Sequence, residues 1–411
     1  MLPKALIVLA ILVVGFFGLG FLSMKLGIKP PGGFPQPPNF PNHTQQGSTP
    51  GNCLDKKDAR LGTSPLALDN LEFITPLGRM SDAHVTPTDH QYWSPKNVVF
   101  GMDNTRLPAI YDIYSPADGV ITQLERHTEI FAENQTNVPK IDDWRIIIYH
   151  SCSLYSIYIH IDKLTDEIFK ASGAPKIAEK GNKSYPVNIP VKEGQLIGKL
   201  AAHPFDFSVH DQNVTLPGLL NARLYENEYW KIHTVDPFDY FKEPVRSQLL
   251  NRVVRTAPPK GGKIDYDIEG KLVGNWFKVG YDPKNISGRF WDAELTIAYN
   301  NFDPSRIFIS MGDWNGRSGQ FAIKGNSPDP KDIGIGQTVK YQLVGFRYQD
   351  AQSKEWRENN YTPEVKLVEG QTIGTLLLKL SDKNTLQLET FPQKSPSEVS
   401  DFTSKAQTYE R

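Results

Sequence analysis

The stretch WRIIIYHSCSLYSIYIHI, residues 144–161, decides the fold. Branched and aromatic residues alternate there with polar ones at a spacing of two, which places one set of side chains on each face of a strand. The same pattern of short apolar runs broken by Gly, Pro and Asn turns extends through residues 56–255 and predicts an antiparallel β core. Residues 216–230 and 244–254 carry apolar residues three and four apart, so short helices are expected to flank the sheet. The run RTAPPKGG at 255–262 reads as an interdomain linker. Beyond it, residues 263–391 predict a second all-β domain, a sandwich or a barrel, and the polar residues 392–411 a disordered tail.

At 411 residues the chain has room for two folded units. Its 45 Lys and Arg balance 46 Asp and Glu, so no global field draws it to nucleic acid or to an acidic polymer. Mean hydropathy is −0.41, the value of an ordinary water-exposed chain. The exception is ALIVLAILVVGFFGLGFLSM at 5–24, an uncharged apolar run long enough for a transmembrane helix. A cleaved signal peptide would be shorter and end in a small-residue site, so a single-span membrane anchor is expected. Residues 25–55 contain a Pro- and Gly-rich tract that reads as a stalk. These readings predict a cell-membrane protein with most of its chain extracellular.

Acceptor sequons at Asn42, Asn134, Asn182, Asn213, Asn285 and Asn360 fit an exported, glycosylated surface. The two cysteines, Cys53 and Cys152, can close one disulfide in an oxidising compartment; two buried thiols are the alternative.

Four segments stand in order along the chain: SPADGVI at 115–121, the Tyr-x-His element at Tyr158 and His160, VKEGQLIG at 191–198, and VDPFDYF at 235–241. Together they resemble the lysostaphin/LytM-type zinc metalloendopeptidases, whose fold is a barrel-sandwich, or duplicated hybrid motif, β domain. The resemblance implies that His160 is the catalytic histidine and that a zinc ion is held by an H-x-x-x-D motif and a His-x-His strand. The nearest match to the first motif is HVTPTDH, with His84, Asp89 and His90, one residue longer than the family spacing. The His-x-His strand is degenerate, because Asp206 and Ser208 stand in place of the two histidines.

Strand alternation puts Asp206, Ser208 and His210 on one face, opposite Phe205, Phe207 and Val209. His210 could therefore complete a shifted zinc site with His84 and Asp89, although a step of two residues moves a side chain about 6–7 Å along a strand. Without that rescue, no cofactor is expected, and the same residues form a polar cleft that binds without cutting. The expected function is non-catalytic binding or organisation of cell-envelope peptide or glycan. An active zinc endopeptidase and a purely structural surface protein are the alternatives.

In the second domain, Gly274, Asn275 and Trp276 resemble the G-x-W strand of lipocalins. Trp291, Trp314 and Trp356 fit either a stacking platform or a core. Oligomeric state is not legible.

Overall fold

A computed structural model describes residues 53, 59–98, 107–127, 142–176, 182–286 and 289–411. The first β body contains β1 (Leu71–Thr75), β2 (Gln91–Pro95), β3 (Tyr111–Tyr114), β4 (Gly119–His127), β5 (Asp143–Tyr149) and β6 (Leu154–Ile161). It continues with β7 (Lys163–Leu164), β8 (Lys183–Val191), β9 (Leu196–Leu200), β10 (Phe205–Asp211) and β11 (Thr234–Val235). The order β1-β2-β10-β6-β5-β4-β8 makes one antiparallel sheet, with β11 on β10, and β3-β9-β7 makes a smaller one. Between the two sheets lies a core that includes Trp93, Ile121, Ile146, Tyr158, Ile197, Phe205 and Phe207.

The second body contains β12 (Gly274–Lys278), β13 (Glu294–Tyr299), β14 (Ile307–Trp314), β15 (Arg317–Ile323), β16 (Thr338–Asp350), β17 (Glu355–Trp356), β18 (Val365–Leu380), β19 (Thr385–Pro392) and β20 (Gln407–Glu410). β12 pairs with β20, and β15 pairs with β16 as well as β14. The sheet therefore closes on itself as an eight-stranded up-and-down barrel, which leaves no open edge in the ring. Its interior is filled by side chains such as Trp276, Ile297, Met311, Tyr341, Leu376 and Tyr409.

Several expectations are corrected here. The sandwich alternative for residues 263–391 gives way to a barrel. The disordered tail at 392–411 is wrong, because these residues carry β20, the strand that closes the ring, and Arg411 behind it is buried. Residues 255–262 are not a free linker: Arg255 is buried, and its guanidinium donates to the carbonyls of Ala257 and Asn301. The two β bodies lie within one compact unit.

The fold class expected from the sequence also included an N-terminal transmembrane helix. Among the described residues no helix is long and apolar enough to cross a membrane. Residues 5–24 lie outside the described residues, as does most of the 25–55 stalk. The architecture of the described residues is thus mainly β with short helices. Among the described residues the helices are α1 (Asp166–Ser172), α2 (Val245–Leu250) and 3-10 turns, of which Ala222–His233 is the longest.

The two bodies meet over an apolar seam in which Phe73 and Val254 pack with Phe302, Trp356 and Val365. At its edge Leu77 bridges Gly262 in parallel fashion. Gly78 has φ +86°, and a Cβ there would sit 2.2 Å from the Lys263 carbonyl oxygen, so only glycine permits this approach. Trp291, Trp314 and Trp356 are all buried, so they belong to packing and form no exposed platform.

Cys53 and Cys152 are joined in a disulfide. Among the sequons, Asn213, Asn285 and Asn360 are exposed, whereas both amide atoms of Asn182 are buried, which removes Asn182 from the expected glycosylation set. Asn42 and Asn134 lie outside the described residues.

Candidate functional site

The core-facing set on β10 is Phe205, Phe207 and Val209, and the opposite face carries Asp206, Ser208 and His210. In the sheet, β10 lies between β2 and β6, with Asp206 beside Tyr92 on one side and Ile159 on the other. That strand order brings together residues from distant parts of the chain.

His160 reaches the same face through an irregularity. Trp144 pairs with Ile161 and Ile146 with Tyr158, so Arg145 of β5 opposes two residues of β6. Such a bulge re-aims a side chain. His160 pays for it with φ +70°, a left-handed conformation uncommon for a residue with a Cβ and frequent at functional sites. Tyr158 stays in the core, its hydroxyl donating to the Tyr114 carbonyl at 2.9 Å.

The result is an alternating row of carboxylates and imidazoles. Asp89 Oδ1 lies 2.9 Å from His90 Nδ1, and His90 Nε2 lies 3.5 Å from Asp206 Oδ2. The same Asp206 oxygen lies 3.6 Å from His160 Nε2, and His160 Nδ1 lies 2.8 Å from Asp143 Oδ2. Asp206 and His90 are buried, while the His160 side chain is 35% exposed.

The electrostatics follow from the alternation. Burial opposes protonation of His160, but Asp143 and Asp206 outweigh it and push its pKa up to about 10. Burial likewise opposes protonation of His90, and Asp206 and Asp89 raise it. Burial would raise Asp143, yet its bond to the His160 cation holds it below the usual carboxylate value. Asp89 is held low against its burial by His90 and by the nearby Lys231. The row is therefore a chain of ion pairs.

A pH dependence follows. A histidine raised from 6.5 to about 10 contributes stability that is fully present below pH 6.5 and is lost as pH rises through 10. The lowered Asp143 contributes above its ordinary 3.8 and loses that contribution in acid. The difference in melting temperature between the wild type and His160→Gln is expected to be largest near pH 5–6 and to vanish above about pH 10, as thermal melts across pH would show. Because His160 is partly exposed, the effect should be on the order of 1 kcal/mol.

The residues proposed from sequence for a shifted zinc site are differently engaged. His210 is fully buried and stacks on Tyr155; its Nε2 is 2.8 Å from Ser208 Oγ and its Nδ1 is 3.1 Å from the Trp230 carbonyl. Burial lowers its pKa to about 4, so it is a neutral structural ring. Asp89 Oδ2 accepts the Trp230 indole N–H at 2.6 Å, which leaves neither carboxylate oxygen unused. His84 is exposed and meets His90 edge to face at 5.5 Å. Among the described residues no group of three or more His, Cys, Asp or Glu is arranged to hold a metal ion. The expectation that His84, Asp89 and His210 form one metal site is corrected accordingly: Trp230 and Lys231, on the 3-10 segment, occupy the space around Asp89. Lys231 Nζ donates to Thr86 Oγ1 at 2.8 Å and puts a fixed ammonium there.

Sequence reading missed Asp143, Trp230 and Lys231. It also missed the part played by the barrel. Glu358, from the loop after β17, pairs with Arg79, whose guanidinium lies 5.4 Å from the centre of the Tyr92 ring. Tyr92 in turn packs edge to face on His90 at 5.0 Å. Gln320 of β15 exchanges two hydrogen bonds with the backbone of Asp82. The barrel thus buttresses the loop that carries His84, Asp89 and His90. A charged residue opening an apolar strand was a signal for Asp143; nothing local to Glu358 points at a histidine 268 positions away.

No family model and no curated protein matches the chain. Among solved structures, the binding domain of Paraclostridial Mosquitocidal Protein 1 is similar over 84% of this chain and 92% of that one, at 12% identity and a TM-score of 0.14. A likeness at that level carries no argument about function.

Proposed function

We propose that the chain is a non-catalytic binding protein that uses the cleft around His160 to hold a peptide or glycan of the cell envelope. The observation that carries this reading is the row Asp89–His90–Asp206–His160–Asp143, open at His160 and closed elsewhere. A histidine acting as general base must offer a free, neutral nitrogen near the working pH. The flanking carboxylates instead raise both imidazoles above their ordinary value, His160 to about 10, which suits recognition better than hydrolysis. The disulfide supports an oxidising location, where envelope ligands are met.

The test is binding of the full chain to isolated envelope fractions, compared with His160→Ala. Wild-type binding with at least a tenfold loss in the variant, at unchanged circular dichroism, is the expected result. Failure of the intact protein to bind any envelope fraction would favour a structural role.

A further inference from the structure

Apart from the His160 cleft, a cavity of about 480 Å³ opens where the first body, the segment that leaves it and the barrel meet. Its walls come from stretches far apart in sequence and are made largely of rings: Pro217, Pro258, Pro259 and Pro304, with Tyr266 and Tyr299. The two tyrosines stand edge to face with ring centres 5.8 Å apart. Ile268, also on the wall, is 46% exposed. Leu220, whose backbone N–H donates to the lining residue Asp267, is 43% exposed. Two large apolar side chains left open beside a ring-lined cavity of ligand size are the marks of a binding site.

The polar groups of the wall decide what fits. Lys263 pairs with Asp265 at 2.5 Å and lies over the Tyr266 ring, and Lys331 pairs with Asp329 at 2.9 Å. Asp265 Oδ2 accepts the Gly218 N–H, and the two oxygens of Asp267 accept those of Asn275 and Leu220. The Arg255 guanidinium donates to the carbonyls of Ala257, Pro258 and Asn301, and the Tyr299 hydroxyl to Asp329. No buried side-chain nitrogen or oxygen of a lining residue lacks a partner among the described residues. The cavity therefore offers a ligand ring faces and ring edges, and no unmet charge. We propose that it is a second binding site, for an uncharged aromatic ring. Such a ring gains from offset or edge-to-face contact with tyrosine beyond the area it buries. A sugar would bring hydroxyls that lose water and find no free partner on these walls. The walls are also set in advance, because Arg411 holds the Ile268 carbonyl at 2.7 Å, so binding has little to order.

No residue of the ion-pair row lines this cavity, so the inference stands or falls apart from the envelope reading. Its test is calorimetric titration of the full chain with free indole and with N-acetyl-tryptophanamide, which carries the same ring on a peptide unit. N-acetyl-leucinamide and methyl glucoside are the aliphatic and sugar controls. Saturable binding of at least one aromatic probe, at least tenfold tighter than either control, is expected. Ile268→Glu, a change at an exposed position, should weaken it at least fivefold by placing a charge on the apolar wall. Tyr299→Leu should weaken it as well by removing one of the paired rings.

Tighter binding of N-acetyl-tryptophanamide than of indole would support the site and assign its ring to the side chain of a peptide; the reverse order would support it with a free aromatic molecule as the source. Binding of the leucine or glucoside control as tight as that of the aromatic probes would overturn the ring assignment. Aromatic binding that survives both Ile268→Glu and Tyr299→Leu but is lost in His160→Ala would overturn the site and place the ring in the cleft. Absence of saturable binding by either aromatic probe would overturn it outright.

Discussion

Arg411→Ala is expected to destabilise the protein by about 3–5 kcal/mol, the range for removing one partner from a buried, hydrogen-bonded ionic network. The Arg411 side chain is completely buried. Its guanidinium lies 4.0 Å from the centre of the Trp276 ring and donates to the carbonyls of Val273 and Ile268 at 2.7 Å each, and to Lys271. Those carbonyls belong to the segment that enters the barrel, and Arg411 follows the strand that closes it. The one side chain therefore ties the first barrel strand to the last. Asp267 stands 4.0 Å away and would be left buried without its cation. Its pKa is already pushed up to about 6 by burial, with Arg411 opposing the rise. Arg411→Lys should recover only part of the loss, because an ammonium cannot present the same fork of donors. Equilibrium denaturation with urea measures the effect; a loss below about 1 kcal/mol would show that closure does not depend on this residue.

The second large effect is expected from Cys53→Ser with Cys152→Ser. The bond spans 99 residues, and the chain-entropy model assigns such a loop roughly 4–5 kcal/mol, an upper figure when the unfolded chain keeps residual structure. Cys152 sits in the turn between β5 and β6, the hairpin that supplies Asp143 and His160, so the bond anchors the segment before the fold to the strands that carry the site. Unfolding in denaturant with and without a reductant should give the same shift for the wild type as the double substitution does in its absence. A change in the cleft is not expected, since Cys152 lies at the far end of the hairpin from His160. Equal stability of oxidised and reduced protein would remove the bond from the energetics.

The site and the fold differ in how they were written into the chain. Alternation over 144–161 and 205–211 specified strands and assigned faces, because side-chain direction in a strand has a period of two wherever one face is buried. Asp206, Ser208 and His210 on one face, and Phe205, Phe207 and Val209 on the other, required only that rule. The two cysteines left a disulfide and a pair of buried thiols both open, and the bond was decided by the fold that brings Cys53 to Cys152.

Tertiary structure decided the rest. The last strand of the barrel was read as a polar tail because QTYE has a single apolar anchor, Tyr409, and its partners β12 and β19 are chosen by ring closure rather than by local pattern. The expected linker at 255–262 became a packed strut for a similar reason, since Arg255 finds its acceptor at Asn301, 46 positions away. Which carboxylate meets which histidine was likewise undetermined by spacing. His90, Asp143, His160 and Asp206 meet because β10 inserts between β2 and β6 and a bulge turns His160 outward. Local periodicity fixes where a side chain points, but long-range strand order fixes what it meets, and the chemistry of this cleft depends on the second.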